Sequence, residues 1–274
     1  MRTLQEIDFL RELYKLGAAN NFGETGLLVL GDDHTIVGSY RQGQNHLSEL
    51  TYYELEETDR ENQLANLIEL LLDRRFETLY VLWSGYQAML VPLKIDITQK
   101  ELLQFVYGLP SQVYFSDSLS DLDLKVIYSS PSKLYSRLQN LTQDLEFTHS
   151  YSATLRIYNG YTTPDQVELC LSPKKFSVCV KKDHQVVLVQ TYAYAFPLDV
   201  IYFLLKIFNE FNLDQNECLL LVAGLIDKDS ELMETMKDYF LNIHFTKGAD
   251  FAIKDSAHPA HYFTSIYNLA ACVL

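Results

Sequence analysis

Residues 167–224 read VELCLSPKKFSVCVKKDHQVVLVQTYAYAFPLDVIYFLLKIFNEFNLDQNECLLLVAG and decide the fold of this chain. Apolar and polar residues alternate over 167–172, which is the period-2 pattern of a half-buried strand. A turn at Pro173-Lys174 folds a second strand back onto the first, because Pro supplies the fixed φ of the first central turn position. This pairing predicts one apolar face made of Val167, Leu169, Leu171, Phe176, Val178 and Val180.

A third strand, a helix and a fourth strand follow in the same stretch. A turn near Asp183-His184 leads into the third strand, which we predict to be covered on both faces. The shared face is assigned Val187 and Val189, and the opposite face Val186 and Leu188. Pro197 opens the helix, where its missing N–H costs nothing. The apolar run 218–223, bounded by Gly224, predicts an interior parallel strand.

The chain before residue 90 repeats this order of elements. A helix at about 229–240 gives the later copy the order β-β-β-α-β-α. In the earlier copy the predicted strands are 13–18, 27–30, 35–40 and 79–83, with a helix opening at a Thr58–Glu61 capping box. Two short matches accompany the repeat, Asp33-His34 with Asp183-His184 and Gly85 with Gly224. We therefore predict an internal duplication.

The duplication divides the chain into two predicted halves, residues 1–150 and residues 151–274. Residues 98–140 are interpreted as an insertion in the first half, opening at a second capping box formed by Thr98 and Glu101. No low-complexity segment or long linker separates the halves. We therefore expect them to pack on each other around a central cleft.

Composition limits the classes of partner. The chain has 274 residues, of which 48% are hydrophobic and 21% charged, as in a soluble globular protein with a substantial core. Its net charge of −14 and the lack of Lys/Arg runs argue against nucleic acid and anionic membranes as partners. The first residues are charged throughout, without the apolar segment of a secretory signal, and no segment resembles a spanning helix. We expect a cytoplasmic protein.

A duplicated β-β-β-α-β-α unit with an insertion in one copy resembles the actin-like ATPase fold, a ribonuclease H-like α/β fold. Actin, sugar kinases and chaperone ATPases share it, and the chain is distantly similar to its cell-division and pilus-assembly members. More specifically, the chain looks like a family of uncharacterised proteins from Bacteroidetes with an actin-like fold. That resemblance covers nearly the whole chain and rests on LVP at 90–92, the hairpins of 167–189, the YFLL helix at 202–205 and AGLIDKDSEL at 223–232.

The resemblance also indicates where a nucleotide would bind. In active members of the fold, the turn between the first two strands of each half holds Asp-x-Gly, which positions phosphate and magnesium. The turns assigned here read Lys15-Leu16-Gly17 and Cys170-Leu171-Ser172, so both aspartates are absent, and Pro173 removes one N–H. The resemblance therefore implies weak or no hydrolysis, no catalytic residue and no ATP or magnesium cofactor. If a nucleotide does bind, the assigned residues are Gly17, Asp32, Asp33, Ser172, Lys174 and Gly224.

Other chemistry has little support in the sequence. No Walker loop, GxGxxG, GxSxG or HExxH motif occurs. The best metal candidate combines His258, His261, Asp255 and His244. Pro259 interrupts this group, so we favour a polar loop over a metal site. The four cysteines contain no CxxC pair and are expected to be reduced thiols.

Two functional hypotheses remain open from the sequence. In the first, the chain is a non-catalytic, cytoplasmic scaffold or binding protein, whose protein partner uses the cleft between the halves or an exposed aromatic surface. In the second, it is an ATP-dependent kinase or ATPase that uses a displaced acidic residue, Asp32 or Asp33. The sequence does not specify the partner or the oligomeric state.

Overall fold

The computed structural model describes residues 10–17, 25–41, 44, 46–74, 76–108, 111–158, 163–247, 252–253 and 257–274. Asp255, one of the predicted metal ligands, lies outside these residues. The chain forms two compact units. Unit 1 comprises residues 1–156, 250–256 and 265–274, and unit 2 comprises residues 157–249 and 257–264. The division at residue 150 stays a prediction.

Unit 1 contains a mixed sheet and a smaller antiparallel sheet. Its strands are β1 (Arg11–Gly17), β2 (Thr25–Leu30), β3 (His34–Tyr40), β4 (Glu49–Glu54), β5 (Thr78–Trp83), β6 (Ala88–Pro92), β7 (Gln112–Leu119), β8 (Leu124–Pro131) and β9 (Asp144–His149). Its helices over the same stretch are α1 (Arg60–Leu71), α2 (Gln99–Tyr107), α3 (Ser132–Leu138) and α4 (Ser150–Tyr158). The mixed sheet has the order β1-β4-β3-β2-β5-β9, and the smaller sheet has the order β6-β8-β7.

The middle of the mixed sheet is the core of unit 1. β2 pairs antiparallel with β3 and parallel with β5, which in turn pairs parallel with β9. The apolar residues of β2 have no solvent exposure, as expected for a strand that has neighbours on both sides and is covered on both faces. They are Leu27, Leu28, Val29 and Leu30.

The edge of this sheet corrects the sequence analysis. The prediction that strand 13–18 forms the first hairpin with strand 27–30 is wrong, because β1 pairs antiparallel with β4. Gly17 pairs with Glu49, which on its other side pairs with Ser39. Gly17 therefore lies at the end of the sheet opposite the β2–β3 turn. A Cβ added to it would lie 2.2 Å from the carbonyl oxygen of Ser48.

The two predicted capping boxes have different outcomes. Thr98 and Glu101 form theirs: Glu101 N donates to Thr98 Oγ1 at 3.2 Å, and Thr98 N donates to Glu101 Oε2 at 3.1 Å. The box predicted at Thr58–Glu61 is wrong, because α1 begins at Arg60 with Asp59 as an N-cap that makes no side-chain capping bond.

Unit 2 is a sheet covered on one face by two helices. Its strands are β10 (Gln166–Leu171), β11 (Lys175–Lys182), β12 (Gln185–Ala193), β13 (Leu219–Gly224) and β14 (Ile243–Phe245), and its helices are α5 (Pro197–Glu210) and α6 (Glu231–Tyr239). The strand order is β12-β11-β10-β13-β14. β10 pairs antiparallel with β11 and parallel with β13.

The register predicted for the first hairpin of this unit is confirmed. Val167 pairs with Val180, Leu169 with Val178, and Leu171 with Phe176, and all six side chains are buried in one cluster. The helices close this cluster; for example, the rings of Phe208 in α5 and Phe240 after α6 lie 4.7 Å apart. Alternation alone fixed this face, because a shift by one residue would have exposed it.

The predicted faces of β12 are wrong. A bulge lies between the pairs Lys181–Val186 and Val180–Leu188, so Val187 is an extra residue in the strand. Leu188 therefore packs against the core cluster, whereas Val189 pairs with Cys179 and Val187 is exposed. The strand is at the sheet edge and is not covered on both faces.

After unit 2 the chain returns to unit 1. A 3-10 turn, Ala260–Phe263, belongs to unit 2, and α7 (Thr264–Val273) follows it. Ile266 of α7 packs against β3, where a Cβ added to Gly38 would lie 2.6 Å from Ile266 Cδ1. In the described part of the chain, no helix combines the length and apolarity needed to cross a membrane.

Candidate functional site

Each unit has a hairpin turn after its central strand, and the two turns share one backbone pattern. In unit 1, Gly31 N donates to His34 O at 2.9 Å, and in unit 2, Ser172 N donates to Lys175 O at 2.8 Å. A second bond fixes the neighbouring parallel strand in each unit. Ser84 N donates to Leu30 O at 2.8 Å, and Leu225 N donates to Leu171 O at 2.9 Å. The two turns are therefore counterparts.

These bonds set a residue-by-residue correspondence between the units. Counterpart residues are Val29 and Cys170, Gly31 and Ser172, Asp32 and Pro173, Asp33 and Lys174, and Trp83 and Gly224. The sequence match of Asp33-His34 with Asp183-His184 is therefore wrong, because the latter pair forms the β11–β12 turn. The match of Gly85 with Gly224 is wrong by two residues. The internal duplication itself stays a prediction.

The unit 1 turn carries two carboxylates that bind within the protein. Arg60 Nη1 donates to Asp32 Oδ1 at 2.5 Å, and the Asp32 side chain is only 8% exposed. His34 Nδ1 donates to Asp33 Oδ1 at 2.7 Å. The His34 ring stacks on Tyr52 with centroids 5.3 Å apart. Both carboxylates therefore already have a donor in this structure, rather than facing an open site.

His149 is the last residue of β9 and lies at the same end of the sheet as the acidic turn. Its Nε2 donates to Gly85 O at 3.0 Å, and its Nδ1 accepts from Tyr151 N at 3.1 Å, so both ring nitrogens are used. Burial lowers the pKa of His149 to about 4. The neutral ring is therefore a structural link between the strand ends and is unsuited to proton transfer near pH 7.

A second polar centre, missed by sequence reasoning, holds the smaller sheet of unit 1. Asp117 in β7 accepts from Thr148 Oγ1 at 3.0 Å, His149 N at 2.8 Å, Ser152 Oγ at 2.6 Å and Tyr128 OH at 3.1 Å. Four donors satisfy the two carboxylate oxygens, so Asp117 joins β7 and β8 to the end of β9 and to α4. Its partners are 11 to 35 residues away in sequence, so no local motif announces it.

The unit 2 turn contains two of the predicted site residues, and a third lies beside it. Ser172 Oγ donates to Lys175 O at 2.9 Å, and Tyr194 OH donates to Ser172 O at 2.8 Å. Tyr194 N donates to Lys174 O at 3.0 Å. Gly224 lies beside the turn, with φ +81°, and a Cβ there would be 1.9 Å from Leu171 O. Ser172, Lys174 and Gly224 thus lie together at one sheet end.

The remaining predicted residues distribute as follows. Asp32 and Asp33 share the unit 1 turn, whereas Gly17 lies at the other end of that sheet. Whether any of the six binds a nucleotide stays a prediction. The turn Lys15-Leu16-Gly17 is not the counterpart of Cys170-Leu171-Ser172; that counterpart is Val29-Leu30-Gly31. It too has no aspartate at its first position.

The predicted metal ligands have other contacts. His261 Nε2 donates to Ile226 O at 3.0 Å, and its ring stacks on Phe245 with centroids 4.2 Å apart. His244 Nε2 bonds to Asn242 Oδ1 at 3.1 Å. Within the described residues, no three His, Cys, Asp or Glu side chains are grouped to hold a metal ion.

Unit 2 also buries a carboxyl group that the sequence analysis did not single out. Glu168 pairs with Cys179 across β10 and β11, on the sheet face opposite the apolar cluster. Burial raises the pKa of Glu168 to about 7, and it also raises the pKa of the Cys179 thiol. The four cysteines are free thiols, as the sequence analysis predicted.

The chain is similar to a family of proteins and to several solved structures. A family model described as a protein of unknown function (DUF3822) matches residues 37–243. No curated protein matches the sequence. Among solved structures, a Bacteroides thetaiotaomicron protein with an actin-like ATPase fold and unknown function is similar at TM-score 0.72 and 14% identity, over 82% of this chain and 91% of the other.

A type IV pilus biogenesis complex, PilM–PilN, also contains a similar chain. The TM-score is 0.59 and the identity 12%, over 89% of this chain and 97% of the other. At such identities the likeness concerns the fold alone. It confirms the predicted α/β, actin-like ATPase fold.

Proposed function

The chain belongs to the DUF3822 family of proteins of unknown function, and we propose that it is a cytoplasmic, non-catalytic binding module that engages another protein. The two turns that would hold phosphate and magnesium in an active member of its fold are built differently here. The side chains of these two turns are the main support for the proposal, and an exposed apolar surface is the second support.

The main support is that neither turn has an aspartate at the position where the fold resemblance expects one, and that both carboxylates of the unit 1 turn are bound within the protein. Magnesium sites rely on carboxylates that keep several waters in an octahedral shell. The positions where the fold resemblance expects aspartate hold Val29 and Cys170. Asp32 is three residues beyond the first of them and is bound to Arg60. Pro173 in the other turn has no N–H to donate to a phosphate.

A solved relative of the fold supports a protein as the partner. PilM, whose structure is similar to this chain, was solved in a complex with PilN. Unit 2 also presents an exposed apolar surface. Phe196, Leu198 and Tyr202, at the start of α5, are 69%, 66% and 60% exposed. Large exposed apolar groups clustered on one helix end are typical of protein contact sites.

Nucleotide binding is the first test of the proposal. The melting temperature of the full chain is measured with and without millimolar Mg-ATP, together with phosphate release. We expect no shift in melting temperature and no phosphate release, because neither turn has the expected aspartate. The assay would detect binding, since a saturating ligand would add about 2–3 kcal/mol to stability. A shift accompanied by phosphate release that disappears in Asp32→Ala would overturn the proposal and establish the alternative, an ATP-dependent enzyme using Asp32.

Partner capture is the second test. The tagged chain and a Leu198→Glu/Tyr202→Glu variant are used as baits in native-cell extract, with Tyr239→Glu as a matched control. Tyr239 is an exposed aromatic residue of α6, outside the proposed surface. We expect a protein that the wild type and the control retain and that the double variant loses. Equal recovery by all three baits would rule out this surface as the contact.

A further inference from the structure

Unit 1 contains a cavity of about 100 Å³ beside the acidic turn, which none of the functions above uses. It lies between the first turns of α1, the end of β5 and the start of α3. Leu64, Trp83 and Leu134 form its apolar wall. Three cationic side chains, Arg60, Lys133 and Arg137, also line it.

The cations in this cavity are only partly neutralised. Arg60 binds Asp32, whereas Lys133 and Arg137 form no ion pair within the part of the chain that the structure describes. Lys133 and Arg137 are four residues apart on α3, where like charges repel each other. Glu61 is the acidic residue of the lining and belongs to no ion pair among the described residues. In a chain with net charge −14, this cavity is an unusual concentration of positive charge.

A second observation concerns the wall. Trp83 is 4% exposed, and its indole N–H is buried without a hydrogen-bond partner among the described residues. Indole N–H groups usually find an acceptor when they are buried. That N–H edge lies against Gly85, where an added Cβ would be 2.6 Å from Trp83 Nε1, so the groups that the cavity offers a ligand are the apolar wall and two cations without a carboxylate.

We propose that this cavity binds the carboxylate of a small organic acid with a short apolar body. Guanidinium groups bind carboxylates through paired, charge-assisted hydrogen bonds. A space of about 10–15 Å³ is enough to hold one water molecule, so about 100 Å³ holds a group of several non-hydrogen atoms. The cavity therefore accepts a carboxylate and its first carbons, and the apolar remainder lies along Leu64, Trp83 and Leu134.

The test uses the full chain and hexanoate as the probe, with binding measured by calorimetry at low ionic strength. We expect millimolar or tighter binding that weakens as salt is added, because the attraction between exposed charges is screened. The double variant Lys133→Gln/Arg137→Gln is expected to bind hexanoate at least tenfold more weakly. Its melting temperature should not fall, because the substitution removes two cations that repel each other.

Three controls make the test decisive. Lys206→Gln/Lys228→Gln removes two cations of unit 2 and should leave hexanoate binding unchanged. 1-Hexanol, which has the same apolar body without the charge, and inorganic phosphate, which has charge without that body, should each bind at least tenfold more weakly than hexanoate. Absence of hexanoate binding, equal binding of hexanol or phosphate, or wild-type affinity in the double variant would each overturn the proposal.

Discussion

The hairpin turns at residues 31–34 of unit 1 and 172–175 of unit 2 close with the same backbone hydrogen bond, at 2.9 and 2.8 Å. Their side chains differ in charge and in burial. Unit 1 places Asp32 and Asp33 in the turn and binds them to Arg60 and His34. At the counterpart positions of unit 2 are Pro173 and the exposed Lys174.

The difference shows which properties the sheet determines. Pairing of the central strand with its two neighbours dictates the path of the turn in both units. It leaves the turn side chains open to change, so two similar backbones carry opposite charges. Fold likeness therefore supplies the place of a site but not its chemistry.

The largest effect on stability is expected at Gly224, whose backbone differs from that of its unit 1 counterpart, Trp83. In Gly224→Ala the new Cβ would overlap Leu171 O at 1.9 Å, and φ is +81°. We expect a loss of about 4 kcal/mol in the free energy of unfolding, measured with urea. Gly108→Ala is the matched control, with φ +64° and no atom within 4 Å of the added Cβ. It should cost about 1 kcal/mol from φ alone. Equal costs would show that the approach to Leu171 does not matter.

The buried carboxyl group of unit 2 should make the stability of the protein depend on pH. Glu168 has its pKa raised by burial from 4.5 to about 7, so the folded state favours its protonated form. Its contribution to stability is complete below pH 4.5 and is lost as the pH rises through 7. Relative to Glu168→Gln, the wild type should lose about 3 kcal/mol over that window. Parallel pH profiles of the two proteins, or a carboxyl NMR titration centred near 4.5, would contradict this.

Removing an acid from the unit 1 turn should have an intermediate effect. Asp32→Ala leaves Arg60, whose side chain is 31% exposed, without its carboxylate. We expect the free energy of unfolding to fall by about 2 kcal/mol, less than for a fully buried pair. Lys174→Ala, in the counterpart turn, should change it by less than about 0.5 kcal/mol because Lys174 is exposed. If both variants had the same stability, the two turns would be energetically alike despite their charges.

The smallest effect concerns the hydrogen bond that holds the unit 2 turn. Tyr194→Phe removes the hydroxyl that donates to Ser172 O at 2.8 Å. A loss of about 1 kcal/mol in unfolding free energy is expected from one hydrogen bond. The exposed Tyr202 provides the control, since Tyr202→Phe should leave stability unchanged. A neutral Tyr194→Phe would mean that Ser172 is held by its other contacts.

Sequence reasoning succeeded where the pattern is local. Alternating residues in β10 and β11 specify both the pairing and the buried face, because each side chain direction follows from the one before. The bulge at Val187 could not be predicted in this way. It changes the face of every residue on one side of it and leaves no mark in the alternation of apolar residues.

The errors in unit 1 arise from distant partners. β1 pairs with β4, whose residues lie more than 30 positions later and read ELTYYE without clear alternation. Matching Asp33-His34 to Asp183-His184 by residue identity was misleading, because strand pairing and not local sequence determines which turns are counterparts. The ion pair that defines the acidic turn joins Asp32 to Arg60, 28 residues away. Nothing local distinguishes Arg60 from any other residue in the first turn of a helix.

The return of α7 to unit 1 has a consequence for biosynthesis. Ile266, Leu269 and Ala270 of α7 are completely buried, and Ile266 packs against β3. During translation, the ribosome makes every strand of unit 2 before it makes this helix. Unit 1 therefore emerges first and is finished last, with a gap over the β3 surface in the meantime. In that interval the β3 surface that α7 later buries stays exposed, and exposed apolar surface makes incompletely folded chains prone to aggregate.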